Sequence, residues 1–75
     1  MKEVVEIIAK ALVDHPEDVV VDEKQEGRMT LIELHVASDD MGKVIGKQGR
    51  IAKAIRTVAK AAGTRENKKV KVDIN

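Results

Sequence analysis

The residues best suited to chemistry lie in one short run, Gly46-Lys47-Gln48-Gly49, followed by Arg50. Glycines three apart, with a basic and an amide side chain between them, suit a backbone that must turn sharply and stay open to a ligand. Gly46 is expected to end a short helix through a conformation closed to other residues. Gly49 is expected to turn the chain into the next helix. Free amides at that helix start, reinforced by the helix dipole, favour an anion, and phosphate is the natural occupant. Lys47 and Arg50 add positive charge at the same place. Elsewhere the chemistry is sparse. His15 and His35 stand twenty residues apart, the only serine is Ser38, and there is no cysteine, so no catalytic triad is available. The carboxylates are dispersed without metal-ligand spacing. No enzyme and no cofactor is expected.

A glycine pair of this kind has blander readings. It could be a plain corner between two helices. It could also be a nucleotide-binding P-loop, because Gly42-Lys43-Val44-Ile45-Gly46-Lys47 has a superficial likeness to one. That reading fails on three counts: the spacing is one residue short, Gln48 stands where a magnesium-binding hydroxyl belongs, and no strand leads directly into the loop.

The charge distribution weighs against the plain corner. Residues 1–40 carry four basic and eleven acidic side chains, a balance of −7; residues 41–75 carry ten basic and two acidic, a balance of +8. The net charge of +1 conceals this split. A small domain so polarised fits a polyanionic partner. There is no Phe, Tyr or Trp, so stacking of bases on aromatic rings is excluded. Any nucleic acid must be held by backbone donors, charge and aliphatic contacts.

The elements that must position the loop follow from periodicity. Val4, Val5, Ile7, Ile8, Ala11 and Leu12 recur at helical spacing, and Pro16 should stop that helix near Val13 or Asp14. Val19-Val20-Val21 marks a strand over residues 18–24, with a turn at Gly27. Ile32, Leu34 and Val36 alternate with Glu33 and His35 in a second strand, Met29–Ala37, which should pair with the first as a hairpin. Ser38, Asp39 and Asp40 are N-cap candidates for a short helix over Met41–Ile45. Ile51, Ala52, Ile55, Val58, Ala59 and Ala62 define a second long helix, with Gly63 as its stop and Arg50, Lys53, Arg56 and Lys60 on its polar flank. Val70, Val72 and Ile74 form a closing strand. The order α-β-β-α-α-β predicts an α+β fold. A three-stranded mixed sheet, in which the strand–helix–helix–strand portion makes a right-handed crossover between parallel strands, carries three helices on one face.

Seventy-five residues make one domain, 1–75, with room for one small core. No apolar run is long enough to span a membrane and no secretory signal is evident, so a cytoplasmic protein is expected.

The stretch Gly42-Lys43-Val44-Ile45-Gly46-Lys47-Gln48-Gly49-Arg50-Ile51 resembles the KH-domain signature, which needs an aliphatic residue before the first glycine, a helix directly after the second, and flanking strands. The whole chain resembles the small bacterial single-KH-domain RNA-binding proteins of the KhpA type, with Leu12-Val13-Asp14-His15-Pro16 and the strand Val70-Lys71-Val72-Asp73-Ile74 adding to the likeness. The element order is that of the prokaryotic, or type II, KH fold. One departure is Ala37-Ser38-Asp39-Asp40, where a proline is expected before the short helix.

The resemblance implies a clamp for about four nucleotides of single-stranded RNA. The amides around Gly46, Lys47, Gln48 and Gly49 would meet the RNA backbone, and Lys43, Lys47, Arg50 and Lys53 would supply phosphate-directed charge. Val44, Ile45 and Ile51 would form an aliphatic floor, with Ile45 and Ile51 also expected to pack in the core. The strand around Leu34 and Val36 would form the far wall, from which His35 could reach a base. The resemblance also implies low sequence specificity and a role as RNA chaperone or post-transcriptional regulator. It implies work as a homodimer or with a larger KH-containing RNA-binding protein.

Overall fold

The computed structural model describes residues 2–75, with the Lys47 side chain outside that description. The order is α1 (Lys2–Leu12), a 3-10 turn (Pro16–Asp18), β1 (Val20–Glu26), β2 (Met29–His35), α2 (Ser38–Arg65) and β3 (Lys69–Ile74). The span of α2 is interrupted at Gln48 and Gly49, which have φ of 64° and 68°. Two consecutive left-handed residues cannot continue a right-handed helix in line. They divide α2 into two arms, residues 38–47 and 50–65, giving the α-β-β-α-α-β order of the type II KH fold.

The sheet order is β1-β2-β3, with β1 antiparallel and β3 parallel to β2. A two-residue turn at Gly27-Arg28, with Gly27 at φ 62°, closes the hairpin in the pattern favoured for type II′ turns. Register places Val21, Leu34 and Ile74 in one row across the sheet, with Ile32 beside Val72 in another. Val21, Ile32, Leu34 and Val72 face the helices and are buried. Val5 and Ala9 of α1 and Val44, Ala52, Ile55 and Ala59 of α2 meet them in one core.

The hydrophobic stripe of α1 is narrower than its sequence suggests. Val5, Ile8 and Ala9 pack inward, whereas Val4, Ile7 and Leu12 keep 38%, 69% and 38% of their surface and Ala11 is exposed. Val4, Ile7 and Ala11 form a second line at three- and four-residue spacing, turned away from the sheet. Val58 of α2 is likewise exposed. Both strands are also displaced from expectation. β1 begins at Val20 because Pro16–Asp18 makes a 3-10 turn, and β2 stops at His35.

Both ends of α2 differ from the sequence reading. Ser38, Asp39 and Asp40 all lie inside the helix, and the N-cap is Ala37, which makes no side-chain cap. At the other end Gly63 does not stop the helix. An added Cβ there would lie 2.4 Å from Val70 Cγ2 and 2.9 Å from the Lys68 carbonyl oxygen, so Gly63 is required for close helix–strand approach. The stop is a Schellman motif around Asn67, at φ 58°. Lys68 N–H donates to Gly63 O at 2.7 Å, and Asn67 N–H donates to Thr64 O at 3.1 Å.

Candidate nucleic-acid interface

The first arm of α2 is fixed by Asp40, whose role is not evident from sequence. Asp40 is buried, and its carboxylate accepts from the Asp14 and His15 backbone N–H groups, each at 3.0 Å. These two amides follow the end of α1. The bonds therefore join the exit of α1 to the first turn of α2, where the helix dipole also favours a negative charge. One turn further on, Val44 is fully enclosed in the core. The arm is thus held at two successive inward positions, and Gly46 follows it.

Gly46 remains right-handed; the left-handed residues are Gln48 and Gly49. The expectation that Gly46 ends the short helix by its own conformation is therefore corrected. The reversal falls two residues later, on an exposed glutamine and a half-buried glycine. Gly49 is needed for its φ, since nothing lies within 4 Å of an added Cβ. Gly46 has neither justification: its φ is ordinary and the space above it is open. A helical glycine costs about 1 kcal/mol relative to alanine, and no described contact within the chain accounts for that cost.

Around the loop, Arg50 and Lys53 are exposed on one flank of the second arm. Among the described residues neither has an ion-pair partner. Lys43 donates from Nζ to Asp14 Oδ1 at 3.1 Å, an exposed pair of the kind worth at most about 1 kcal/mol and open to exchange. The Lys47 side chain, expected to carry phosphate-directed charge, lies outside the described residues.

The expected aliphatic groove residues separate into two groups. Leu34 and Val44 have no exposed surface, because each points into the hydrophobic core. Their side chains cannot present a face to a base. Ile45 is the opposite case. Expected to pack, it is 52% exposed beside the loop, while Ile51 and Val36 are half-buried against the core. His35 sits on the outer sheet face, with Nε2 at 3.8 Å from Asp22 and 4.0 Å from Glu33, which also pairs with Lys24.

The structure thus assembles a loop of left-handed backbone, an open glycine, two cations without an ion-pair partner among the described residues, and an exposed isoleucine at the junction of two helical arms. The described helices include none long and apolar enough to cross a membrane.

Comparison with known proteins places the chain in a family. The model of the KhpA/KhpB KH domain matches residues 2–74. The chain is 68% identical over 74 residues to the RNA-binding protein KhpA of Clostridium perfringens, covering 99% of each chain. It is 61% identical to the protein of the same name from Clostridium acetobutylicum, again over 99% of each. Identity to that of Halalkalibacterium halodurans is 60%, over 99% of this chain and 97% of the relative. These names describe RNA binding and none describes catalysis. No solved structure matches the chain at a comparable level of significance. Full-length matches of this strength, on a chain with the type II KH order of elements, establish that it belongs to the KhpA/KhpB KH-domain family.

Proposed function

We propose that this protein is a cytoplasmic, sequence-tolerant single-stranded RNA-binding module that clamps about four nucleotides at Gly46-Lys47-Gln48-Gly49. The observation that carries the reading is Gly46. It weakens its own helix, its φ needs no glycine, and the space over it is open, which suits close approach of another backbone. The RNA backbone passes over Gly46–Gly49 and meets amides at the start of the second arm. Arg50, Lys53, Lys47 and an exchangeable Lys43 attract its phosphates. Bases lie against Ile45, with Ile51 and Val36 at the groove margin and Leu34 and Val44 supporting it from below.

With no aromatic stacking, one domain binds weakly, with Kd on the order of 10⁻⁴–10⁻⁶ M at physiological salt. Action as an RNA chaperone or post-transcriptional regulator therefore calls for a second module and the gain in effective concentration it brings. A specific feature favours such pairing. Val4 of α1 and Thr57, Val58, Ala61 and Arg65 of α2 line an exposed groove of about 380 Å³, and exposed Ile7 lies one turn from Val4. This groove is where a second copy, or a larger KH-containing partner, docks.

The test is fluorescence anisotropy with labelled, unstructured RNA over a salt series, comparing the native chain with Lys47→Asp/Gln48→Asp. Circular dichroism on both checks the fold. Binding by the native chain alone, with log K falling by about 0.7 per neutralised phosphate per decade of salt, supports the clamp. Equal binding by a folded variant would show that the loop is structural and the basic flank merely adhesive.

A further inference from the structure

The basic half of the chain contains more charge than the glycine loop uses. At the far end of α2, three elements converge: the β1–β2 turn with Arg28, the last turns of α2 with Lys60 and Thr64, and the entry to β3 with Lys68 and Lys69. Two adjoining clefts of about 230 and 370 Å³ share Thr64, Lys68 and Lys69 as walls; Arg28 lines the first and Lys60 the second. All four cations are exposed, and none has an ion-pair partner among the described residues. Glu26 and Glu66, each two residues in sequence from a cleft residue, line neither cleft and form no ion pair among the described residues.

The convergence is held by backbone. Lys69 N–H donates to Arg28 O at 3.1 Å, and the Schellman motif fixes Lys68. With the Gln25 amide oriented to satisfy both neighbours, its Oε1 accepts from Lys68 Nζ at 2.8 Å. That bond orients the ammonium and leaves its charge unneutralised.

Lys53, Thr57, Lys60 and Thr64 recur at four- and three-residue spacing. They form one polar stripe along the second arm, from the glycine loop to these clefts. From Arg50 to Thr64 the helix rises about 21 Å. A strand stacked at about 3.4 Å per nucleotide covers that distance in roughly six nucleotides.

We propose that Arg28, Lys60, Lys68 and Lys69 form a second phosphate-binding surface, which takes the continuation of the RNA strand held at the glycine loop. The inference rests on the RNA-binding reading above. It extends the contact of one domain from about four nucleotides to about ten. Each phosphate contact steepens the log–log salt slope by about 0.7, so Lys68 and Lys69 together account for about 1.4.

The experiment measures anisotropy of a tetranucleotide and a twelve-nucleotide unstructured RNA against the native chain and Lys68→Ala/Lys69→Ala. The exposed-helix variant Lys60→Gln is a second probe that leaves the Schellman turn intact. The expected result is that both variants bind the tetranucleotide as the native chain does. On the longer RNA the double variant weakens about tenfold and its salt slope becomes shallower by about 1.4. Unchanged affinity and slope for the twelve-nucleotide RNA would overturn the proposal, as would equal losses on both lengths. The glycine-loop reading fails separately, if Lys47→Asp/Gln48→Asp leaves tetranucleotide binding intact.

Discussion

Replacing Asp40 with alanine is expected to destabilise the domain by about 3 kcal/mol, taking the two lost bonds at about 1.5 kcal/mol each. The bonds to Asp14 N and His15 N are both 3.0 Å long, and the carboxylate is 1% exposed. Hydrogen bonds to a charged group contribute about 1.5–3 kcal/mol each. The lower figure applies because Asp14 is exposed and His15 half-exposed, so water can reach part of what the carboxylate leaves. A chain of this size has a total stability of about 4–11 kcal/mol. The loss is then a large share of the total and lowers Tm by about 12–24 °C. Asp40→Asn keeps one acceptor oxygen and should lose about half as much. Urea unfolding followed by far-ultraviolet circular dichroism measures both, since the chain has no tryptophan for fluorescence. A loss below about 1 kcal/mol for alanine would refute the assignment of Asp40 as the brace between α1 and α2. Equal losses for asparagine and alanine would refute the arithmetic of two acceptors and point to charge alone.

Three further outcomes are expected. Gly46→Ala should raise stability by about 0.5–1 kcal/mol, because the site is helical and unobstructed, while RNA affinity falls; urea titration and anisotropy on one preparation separate the two effects. Gly63→Ala should cost at least about 1–3 kcal/mol, since Val70 and the Lys68 carbonyl occupy the space a Cβ needs; an unchanged midpoint would show that β3 can shift. Ala37→Pro should stabilise by about 0.4–1 kcal/mol, because Ala37 already has φ −58° and ψ 146° and its N–H has no backbone partner among the described residues; calorimetry would detect a rise of a few degrees in Tm.

The strands and the outline of the helices were legible because alternation and the 3.6-residue period report burial directly. Ile32 and Leu34 face the core as their spacing requires, and Val70, Val72 and Ile74 pair where a crossover strand must. The glycine loop was legible as a motif. Its detail was not, because the left-handed turn falls on Gln48, a residue type that rarely adopts it. Gly63 read as a stop because glycine commonly ends helices, and only the position of Val70 reveals its actual use. Asp40 read as a cap because aspartate near a helix start usually is one; its partners lie 25 and 26 residues earlier in the chain. The split of the apolar residues of α1 into packed Val5 and Ala9 and exposed Val4 and Ile7 was hidden for a similar reason. Periodicity finds an apolar face but does not say how wide a strip of it the sheet can cover. The same limit explains why the resemblance points to Leu34 and Val44 while the exposed aliphatic surface belongs to Ile45.

The parallel pairing of β2 with β3 has a consequence for the order in which the molecule assembles. The hairpin partners Glu26 and Met29 are nearest neighbours across a turn, whereas Thr30 and Val70 pair with the whole of α2 between them in the chain. Short closures are fast and long ones carry the larger entropic barrier. The hairpin therefore belongs to the early part of folding, and the docking of β3 to its end. Until β3 docks, the edge of β2 carries Ile32 and Leu34 beside unpaired backbone, which is the arrangement that recruits strands from other chains. The interval between those two events is the period in which the domain is most prone to aggregate.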